Sequence, residues 1–238
     1  MPTLCRHFFS ANSIRRRDGV ITMNNADDSN SERVFDELLD YFSQNKTDNP
    51  DPIFHPDNSV NKMMSLRPSP LRKASVLIPI TRHKPGKNSE IVLTVRSENL
   101  NSHPGQISLP GGSEEAIDSD VVATALRESQ EEIGLVQGDV EVIGRLGDMA
   151  LPSGFQITPI VGLIEPDLEY APCPIEVAEI FHAPLSLLMN PDSYKSTFMT
   201  YDNQSRKVIE LQFERFRIWG ATAAILYHLA QIIQNSKK

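Results

Sequence analysis

The stretch that decides the fold is residues 106–135, QISLPGGSEEAIDSDVVATALRESQEEIGL. Its first part, residues 106–112, is rich in aliphatic side chains and closes with Pro-Gly-Gly, which predicts a strand that stops in a turn. Residues 119–135 place apolar side chains at helical spacing, with Asp118 or Ser119 as the natural N-cap. The stretch therefore predicts a strand, a glycine-rich loop and a helix in direct succession.

Three glutamates of this helix share one face. Glu128, Glu131 and Glu132 stand at i, i+3 and i+4, and these positions are neighbours on a helix. Like charges at this spacing repel, whereas a hard cation such as Mg²⁺ prefers carboxylate oxygens and often binds together with substrate phosphates. Arg127 can brace one carboxylate through a bidentate bond. A solvated acidic face is the alternative, but the preceding glycines, which let the backbone approach a ligand closely, favour a metal site.

The helix and its loop resemble the Nudix box, G-x5-E-x7-R-E-U-x-E-E-x-G-U, in which U is aliphatic. The residues that match in register are Arg127, Glu128, Glu131, Glu132, Gly134 and Leu135. The box loop is one residue longer than the common form, because 15 positions separate Gly112 from Arg127. The first box glutamate falls at Ser119, with Asp118 beside it, and Ser129 stands where an aliphatic residue is usual.

A second motif precedes the box. Residues 93–112, LTVRSENLNSHPGQISLPGG, resemble the signature of the coenzyme A pyrophosphatases of the Nudix superfamily, L-L-T-x-R-S/A-x3-R-x3-G-x3-F-P-G-G. The matching residues are Leu93, Thr94, Arg96, Ser97, Gly105, Pro110, Gly111 and Gly112. Asn101 replaces the motif arginine and Leu109 replaces its phenylalanine. The resemblance to bacterial members extends over roughly residues 74–235.

This resemblance implies an α/β (α+β) fold, the Nudix α/β/α sandwich with a central mixed β-sheet. It also implies metal-dependent hydrolysis of the diphosphate bond of coenzyme A, its thioesters or its oxidised form, to 3′,5′-ADP and 4′-phosphopantetheine. Mg²⁺ or Mn²⁺ would neutralise the phosphoryl oxygens and activate the attacking water. The implied metal ligands are Glu128, Glu131, Glu132 and the carbonyl of Gly112.

Two other functions stay open beside this one. Asn101 and Leu109 would allow a broader pyrophosphatase that acts on ADP-ribose, NADH or dinucleoside polyphosphates. A non-catalytic Nudix-like ligand sensor is the alternative from another class, although such proteins usually lose box acids and this chain keeps Glu128, Glu131 and Glu132.

Further site residues are assigned by the same resemblance. The catalytic set is Glu128, Glu131, Glu132, Arg127 and Glu176, and the substrate contacts are Arg96, His103, Gly111 and Gly112. Glu176, in the segment PIEVAEIF, is the candidate general base, with Glu179 as the second candidate. A helix-start acid is the alternative for Glu176, a surface salt bridge for Arg96, and a loop residue with local hydrogen bonds for His103.

The remainder of the chain alternates strands and helices, which is typical of an α/β or α+β domain. Strands are predicted at residues 74–82, 90–97, 140–147, 156–165, 193–202 and 207–219, and a closing helix at residues 220–234. We expect the Nudix domain to occupy residues 71–238. Residues 1–70 are expected to form a partly disordered extension, with a short helix near residues 31–44 and a proline-rich linker at residues 49–58.

The composition is that of an acidic globular protein of 238 residues. Its net charge of −8 argues against a nucleic-acid-binding module, which would carry a basic patch. Two cysteines, Cys5 and Cys173, are too few for a disulfide scaffold or a four-cysteine zinc site. No apolar run reaches the length of a membrane-spanning helix. We expect a small-molecule substrate and no nucleic-acid or membrane partner, and we leave a homodimer open.

The first 17 residues bear on localisation. They contain four arginines and no acid, which resembles a mitochondrial transit peptide. An over-called start, with Met23 as the true one, and a disordered leader are the alternatives. We therefore expect a cytoplasmic protein, or a mitochondrial one if these residues are a transit peptide.

Overall fold

The computed structural model describes residues 25–47, 49–67, 69–201 and 204–236. The helices are α1 (Asn25–Gln44), α2 (Asn58–Ser65), α3 (Val121–Ile133), α4 (Leu185–Leu188) and α5 (Gly220–Asn235). The strands are β1 (Arg72–Thr81), β2 (Glu90–Arg96), β3 (Ile107–Ser108), β4 (Gly111–Ser113), β5 (Glu141–Arg145), β6 (Met149–Ala150), β7 (Phe155–Ile164), β8 (Val177–Pro184), β9 (Lys195–Tyr201), β10 (Gln204–Phe213) and β11 (Phe216–Trp219). The predictions for residues 1–17 and Met23 lie outside the described residues.

A mixed sheet of eight strands forms the centre of the fold. β1 and β7 run parallel along their whole lengths. On one side, β2 lies antiparallel to β1 and also pairs with β3 and β8. On the other side, β5 and β6 pair antiparallel with β7, and β4 pairs with the first half of β1. A separate antiparallel sheet contains β9, β10 and β11.

The two faces of the central sheet are covered by different helices. Because side chains alternate along a strand, Leu77 of β1 packs with Ala125 and Ile133 of α3, whereas Ile78 packs into the cluster on the opposite face. That second cluster includes side chains of α1, α4 and α5. Within the described ranges, no helix has the length and apolarity needed to cross a bilayer. The predicted sandwich with a central mixed sheet is therefore confirmed.

Several local predictions need correction. The strand predicted at residues 106–112 is two short strands, because β3 pairs with β2 whereas β4 crosses to β1. The strand predicted at residues 207–219 is the hairpin of β10 and β11, which turns at Glu214, a residue with φ of 50°. Strand β8 was not predicted. Helix α3 is capped by Asp120, whose side chain accepts from the Ala123 N–H, and not by Asp118 or Ser119.

The N-terminal extension packs against the same core. Helix α1 is longer than the predicted helix at residues 31–44, and its apolar face, which includes Phe35 and Leu38, is buried. In the segment predicted as a linker, Ile53 is buried and its N–H donates to the carbonyl of Asp148 at 3.0 Å. Helix α2, which was not predicted, starts at the end of that segment. The domain boundary at residue 70 stays a prediction.

Candidate active site

Arg127 joins the helix α3 to the loop that precedes it. Its Nε and Nη2 donate to the two carboxylate oxygens of Asp118 at 2.8 and 3.0 Å, and Nη2 also donates to the carbonyl of Ser113 at 2.9 Å. Its Nη1 donates to Glu128 at 2.9 Å and Glu131 at 3.3 Å. The bidentate partner is thus Asp118, and not a box glutamate of the helix as the sequence suggested. Arg127 therefore contacts protein groups throughout and positions the acids around it.

Asp118 is the functional residue that sequence reasoning underrated. Its carboxylate also accepts from the Glu115 N–H at 2.8 Å and the Thr124 hydroxyl at 3.0 Å. Hydrogen bonding to Arg127 holds the pKa of Asp118 below its usual range, and the same contact raises the pKa of Arg127. The signal was present in the sequence, because counting forward from Gly112 with the box spacing reaches Asp118. The extra loop residue then lies between Asp118 and Arg127.

Glu132 is the most deeply placed of the box acids. Its side chain is 3% exposed, and its Oε2 accepts from the Gly111 N–H at 3.1 Å. Burial raises the pKa of Glu132 to about 8. Gly111 can approach because it has no side chain: its φ is 155°, and an added Cβ would lie 2.3 Å from the Ser75 carbonyl oxygen. The sequence predicted that this glycine pair permits a close approach. At Gly111 a side chain would collide with the backbone of β1, and at Gly112 it would collide with a box glutamate.

Glu128 lies directly over the second glycine. A Cβ added to Gly112 would be 2.5 Å from Cδ of Glu128, so this carboxyl group rests on the Gly112 backbone. Burial raises the pKa of Glu128 to about 7, while Arg127 opposes that shift. Two of the three box glutamates are therefore desolvated carboxyl groups whose negative charge is incompletely compensated.

Arg96 is brought to the box acids by strand β2. Its Nη1 lies 3.9 Å from Oε1 of Glu132. The register of β2 against β8 shifts between Val95, which faces Glu179, and Arg96, which faces Val177. This β-bulge leaves Ala178 unpaired and turns Val177 toward the α3 side of the sheet, where it joins the core cluster of that helix. Arg96 opposite it therefore also faces α3.

Glu176, the candidate base, precedes that bulge. Its carbonyl accepts from the Ser97 N–H at 2.9 Å, next to Arg96. Its negative charge contributes to the raised pKa of both Glu128 and Glu132, so it lies within electrostatic reach of both. Glu179 instead forms an ion pair with Arg215. The structure thus groups Glu176 with the box acids and engages Glu179 elsewhere.

Two motif positions are not drawn into this group. His103 is an exposed turn residue with φ of 58°, and its carbonyl accepts from the Gln106 N–H at 3.3 Å. Leu109 is buried in the core cluster on the side of the sheet away from α3. The replacement of the motif phenylalanine by Leu109 therefore alters core packing and leaves the grouped acids untouched.

The acids offer the oxygen ligands that Mg²⁺ or Mn²⁺ requires, but they do not form a complete coordination site. Among the described residues, no three His, Cys, Asp or Glu side chains are arranged so that they could hold a metal ion, and Arg127 Nη1 lies between Glu128 and Glu131. However, the buried carboxyl groups of Glu128 and Glu132 lack sufficient positive charge, which a divalent cation would supply. The predicted metal ligands therefore fit the ion chemically and would need side-chain rotation to surround it.

Comparisons with known proteins identify the family of this chain. The NUDIX domain family matches residues 71–185. The chain is 40% identical over 164 residues to an uncharacterized Nudix hydrolase NudL of Photorhabdus laumondii, covering 68% of this chain and 86% of that protein. It is 38% identical over 181 residues to the NudL protein of Shigella flexneri, covering 73% and 92%. A crystal structure of a Nudix hydrolase from M. smegmatis, RenU, aligns with a TM-score of 0.48 and 16% identity over 70% of this chain and 88% of that one. The chain belongs to the Nudix hydrolase family.

Proposed function

We propose that this enzyme hydrolyses the diphosphate bond of coenzyme A, its thioesters or its oxidised form. Family membership supports hydrolysis of a diphosphate linked to a nucleoside. The observation that carries the finer assignment is the position of Arg96. This residue belongs to the segment that resembles the coenzyme A pyrophosphatase signature, and it lies 3.9 Å from Glu132 of the Nudix box. That distance supports one site to which both motifs contribute.

The cation belongs to the proposal. Glu128, Glu131, Glu132 and the Gly112 carbonyl would hold Mg²⁺ or Mn²⁺, which neutralises phosphoryl oxygens and lowers the pKa of water when it is bound. Arg127 and Asp118 keep the loop and the helix in register, and the Gly111 N–H fixes the aim of Glu132. These contacts orient the acids before the substrate arrives.

The remaining residues would act on the substrate and the water. Glu176, which is grouped with the box acids, accepts the proton of the attacking water. The water oxygen bonds to phosphorus as the bridging P–O bond breaks, which gives 3′,5′-ADP and 4′-phosphopantetheine. Arg96 donates to a phosphate oxygen. His103, exposed in the turn before β3, is proposed to contact a more distant part of the substrate.

A broader pyrophosphatase is the second candidate, and Asn101 favours it. This residue replaces the motif arginine and is exposed in the loop between β2 and β3, where a substrate contact could be lost. Leu109 does not favour a broader substrate range, because it is buried in the core cluster on the side of the sheet away from α3. A small-molecule substrate, and no nucleic acid or membrane, is part of both candidates. The cytoplasmic location and the homodimer stay predictions.

One chromatographic assay tests the proposal. Purified protein is incubated with coenzyme A, ADP-ribose, NADH and diadenosine polyphosphates, each with Mg²⁺, Mn²⁺ or EDTA. We expect 3′,5′-ADP from coenzyme A, dependent on the metal, with the highest kcat/KM of the panel, and we expect Asn101→Arg to raise that preference. Faster cleavage of another substrate would replace the coenzyme A assignment with the broader one. Glu132→Gln is the inactive control for the assay. A wild-type protein that binds one of these compounds but, like this variant, cleaves none of them would favour the ligand sensor.

A further inference from the structure

The buried carboxylate of Glu132 has one arginine near it, which compensates its charge only in part. Arg127 contacts Asp118, Glu128 and Glu131 but does not reach Glu132 in the contacts described above. Arg96 does, with 3.9 Å between its Nη1 and the Oε1 of Glu132. The Glu132 side chain is 3% exposed and the Arg96 side chain 27% exposed. The two arginines therefore divide the box acids between them.

Arg96 combines a fixed backbone with an uncommitted side chain. Its N–H donates to the Gln106 carbonyl at 2.9 Å and its carbonyl accepts from the Gly105 N–H at 3.1 Å. By contrast, its Nε is buried and has no hydrogen-bond partner in the part of the chain that the structure describes, and the distance to Glu132 exceeds that of a hydrogen bond. A buried donor without a hydrogen-bond partner costs free energy. Binding of an acceptor at this guanidinium would therefore be favourable.

We propose that Arg96 is the counter-ion of Glu132 in the metal-free enzyme, that it competes with the divalent cation for this carboxylate, and that it passes to a substrate phosphate oxygen when the cation binds. This inference rests on the proposed function, because it takes Glu132 as a metal ligand. It adds a role for Arg96 that a simple substrate contact does not have, namely setting the affinity for the metal.

The competition follows from charge. A guanidinium and a divalent ion that share one carboxylate repel each other, and the repulsion is strong in a site from which water is largely excluded. When the ion takes Glu132, Arg96 loses its partner while its Nε still has none. A phosphate oxygen suits the vacated guanidinium, because its planar fork binds such groups in a bidentate manner. Binding of the metal at Glu132 would thus favour binding of the substrate phosphate at Arg96.

The experiment measures Mn²⁺ binding to the full chain without substrate, by electron paramagnetic resonance of free Mn²⁺. For Arg96→Gln we expect the Kd for Mn²⁺ to fall about tenfold, because a positive charge near a ligand is removed. Arg96→Lys keeps the positive charge near Glu132, so its Kd for Mn²⁺ should stay within about twofold of the wild type. Arg82→Gln is the matched control, since Arg82 is an arginine of similar exposure (34%) that pairs with Glu141 and Glu165. It follows the end of β1 opposite to the end that pairs with Gly112, so the Kd of this variant should not change.

A second readout follows the substrate. In the same variants, Arg96→Gln should raise KM for the preferred nucleotide while Mn²⁺ binds more tightly, a combination that loss of folding would not produce. Arg96→Met provides a second neutral variant, and thermal unfolding identifies any variant that is not folded. A folded Arg96→Gln or Arg96→Met that binds Mn²⁺ with unchanged or weaker affinity overturns this inference and leaves the proposed function intact. A wild-type protein that binds no Mn²⁺ overturns the proposed function itself.

Discussion

At the scale of single residues, the acids around the box differ in environment although the sequence presents them alike. Asp118 is ion-paired and its pKa is lowered, whereas Glu132 is buried and its pKa is raised to about 8. Glu131 has a side chain that is 24% exposed and contacts Arg127. Because one kind of group is stabilised by its charge and the other is penalised for it, neutralising them should change the free energy of unfolding in opposite directions.

Asp118→Asn should destabilise the protein. The amide loses the charge-assisted bonds to Arg127, whose side chain is 10% exposed, and breaking a buried ion pair costs about 3 kcal/mol. Urea denaturation measures the free energy of unfolding. Asp120→Asn is the matched control, because Asn is as good an N-cap as Asp and this position lies at the exposed start of α3. Equal losses in both variants would contradict the structural role of Asp118.

Glu132→Gln should stabilise the metal-free protein at alkaline pH. The folded pKa of Glu132, about 8, lies above the value of 4.5 expected in the unfolded chain. Its contribution to stability is therefore present below pH 4.5 and is lost as the pH rises through about 8. In EDTA at pH 9 we expect the variant to exceed the wild type by at least about 1 kcal/mol, because each pKa unit corresponds to about 1.4 kcal/mol.

Thermal unfolding in EDTA at pH 5, 7 and 9 checks this expectation. The difference between Glu132→Gln and the wild type should grow with pH, and Mn²⁺ should then stabilise the wild type and not the variant. Glu131→Gln, at the more exposed acid, is the control and should show a smaller pH dependence. Parallel curves for wild type and Glu132→Gln would show that the buried carboxylate carries no penalty.

At the scale of elements, the sequence patterns predicted a helix whose ends and faces are set by local interactions. The helical spacing of apolar and acidic residues identified α3, which ends at Gly134 with φ of 72°. Strand β8 was not predicted, because the β-bulge interrupts the alternation of apolar and polar side chains along it. Alternation along β2 puts Arg96 on the same face as Val92, which packs with α3. The 3.9 Å approach of Arg96 to Glu132 also depends on how α3 packs against the sheet, and no local pattern could supply that tertiary contact.

The junction between β4 and β1 provides an element-scale test. Gly111→Ala puts a Cβ 2.3 Å from a carbonyl oxygen of β1, which must move, whereas a Cβ at Gly86 meets no atom within 4 Å. Gly86 has φ of 75°, in the left-handed region, where an L side chain costs about 1 kcal/mol. Gly111 has φ of 155°, a conformation that is almost restricted to glycine, so its variant carries at least that cost in addition to the close contact. We expect Gly111→Ala to lose at least about 2 kcal/mol more than Gly86→Ala in urea denaturation, and equal losses would contradict the close approach.

At the scale of the whole molecule, the extension and the Nudix domain share one core. The family match begins at residue 71, yet Leu38 of α1 is fully buried in the main cluster. Leu38→Ala should therefore destabilise the whole protein by about 2–5 kcal/mol. Leu66→Ala makes the same chemical change at a residue that is 82% exposed and should cost less than about 0.5 kcal/mol.

Two probes show whether α1 unfolds with the rest. Fluorescence of Trp219, the single tryptophan, reports on the junction of β11 and α5, and far-ultraviolet circular dichroism reports on all helices. Coincident urea transitions are expected for one cooperative unit. An earlier loss of helix signal in Leu38→Ala would instead mean that α1 is a separately melting appendage.

Asp57 joins this extension to the smaller sheet and should make that junction acid-sensitive. Its carboxylate accepts from the Ser59 N–H at the start of α2 and from the Lys207 N–H of β10, both at 2.9 Å. Hydrogen bonds from Ser59 and Lys207 lower its pKa from 3.8 to about 2. A lowered pKa means that the stabilisation is present above pH 3.8 and is lost as the pH falls through about 2.

Amide hydrogen exchange between pH 4 and pH 2 measures this loss at the bonds themselves. The Ser59 and Lys207 amides should lose protection as the pH falls, and Asp57→Asn should weaken their protection at pH 4 already. The Ile53 amide is the internal control, because it donates to the Asp148 backbone carbonyl, which does not titrate. If Ile53 lost protection in step with Lys207, the cause would be general acid unfolding. If Ile53 kept its protection, the acid-sensitive element would be the junction that Asp57 makes between α2 and β10.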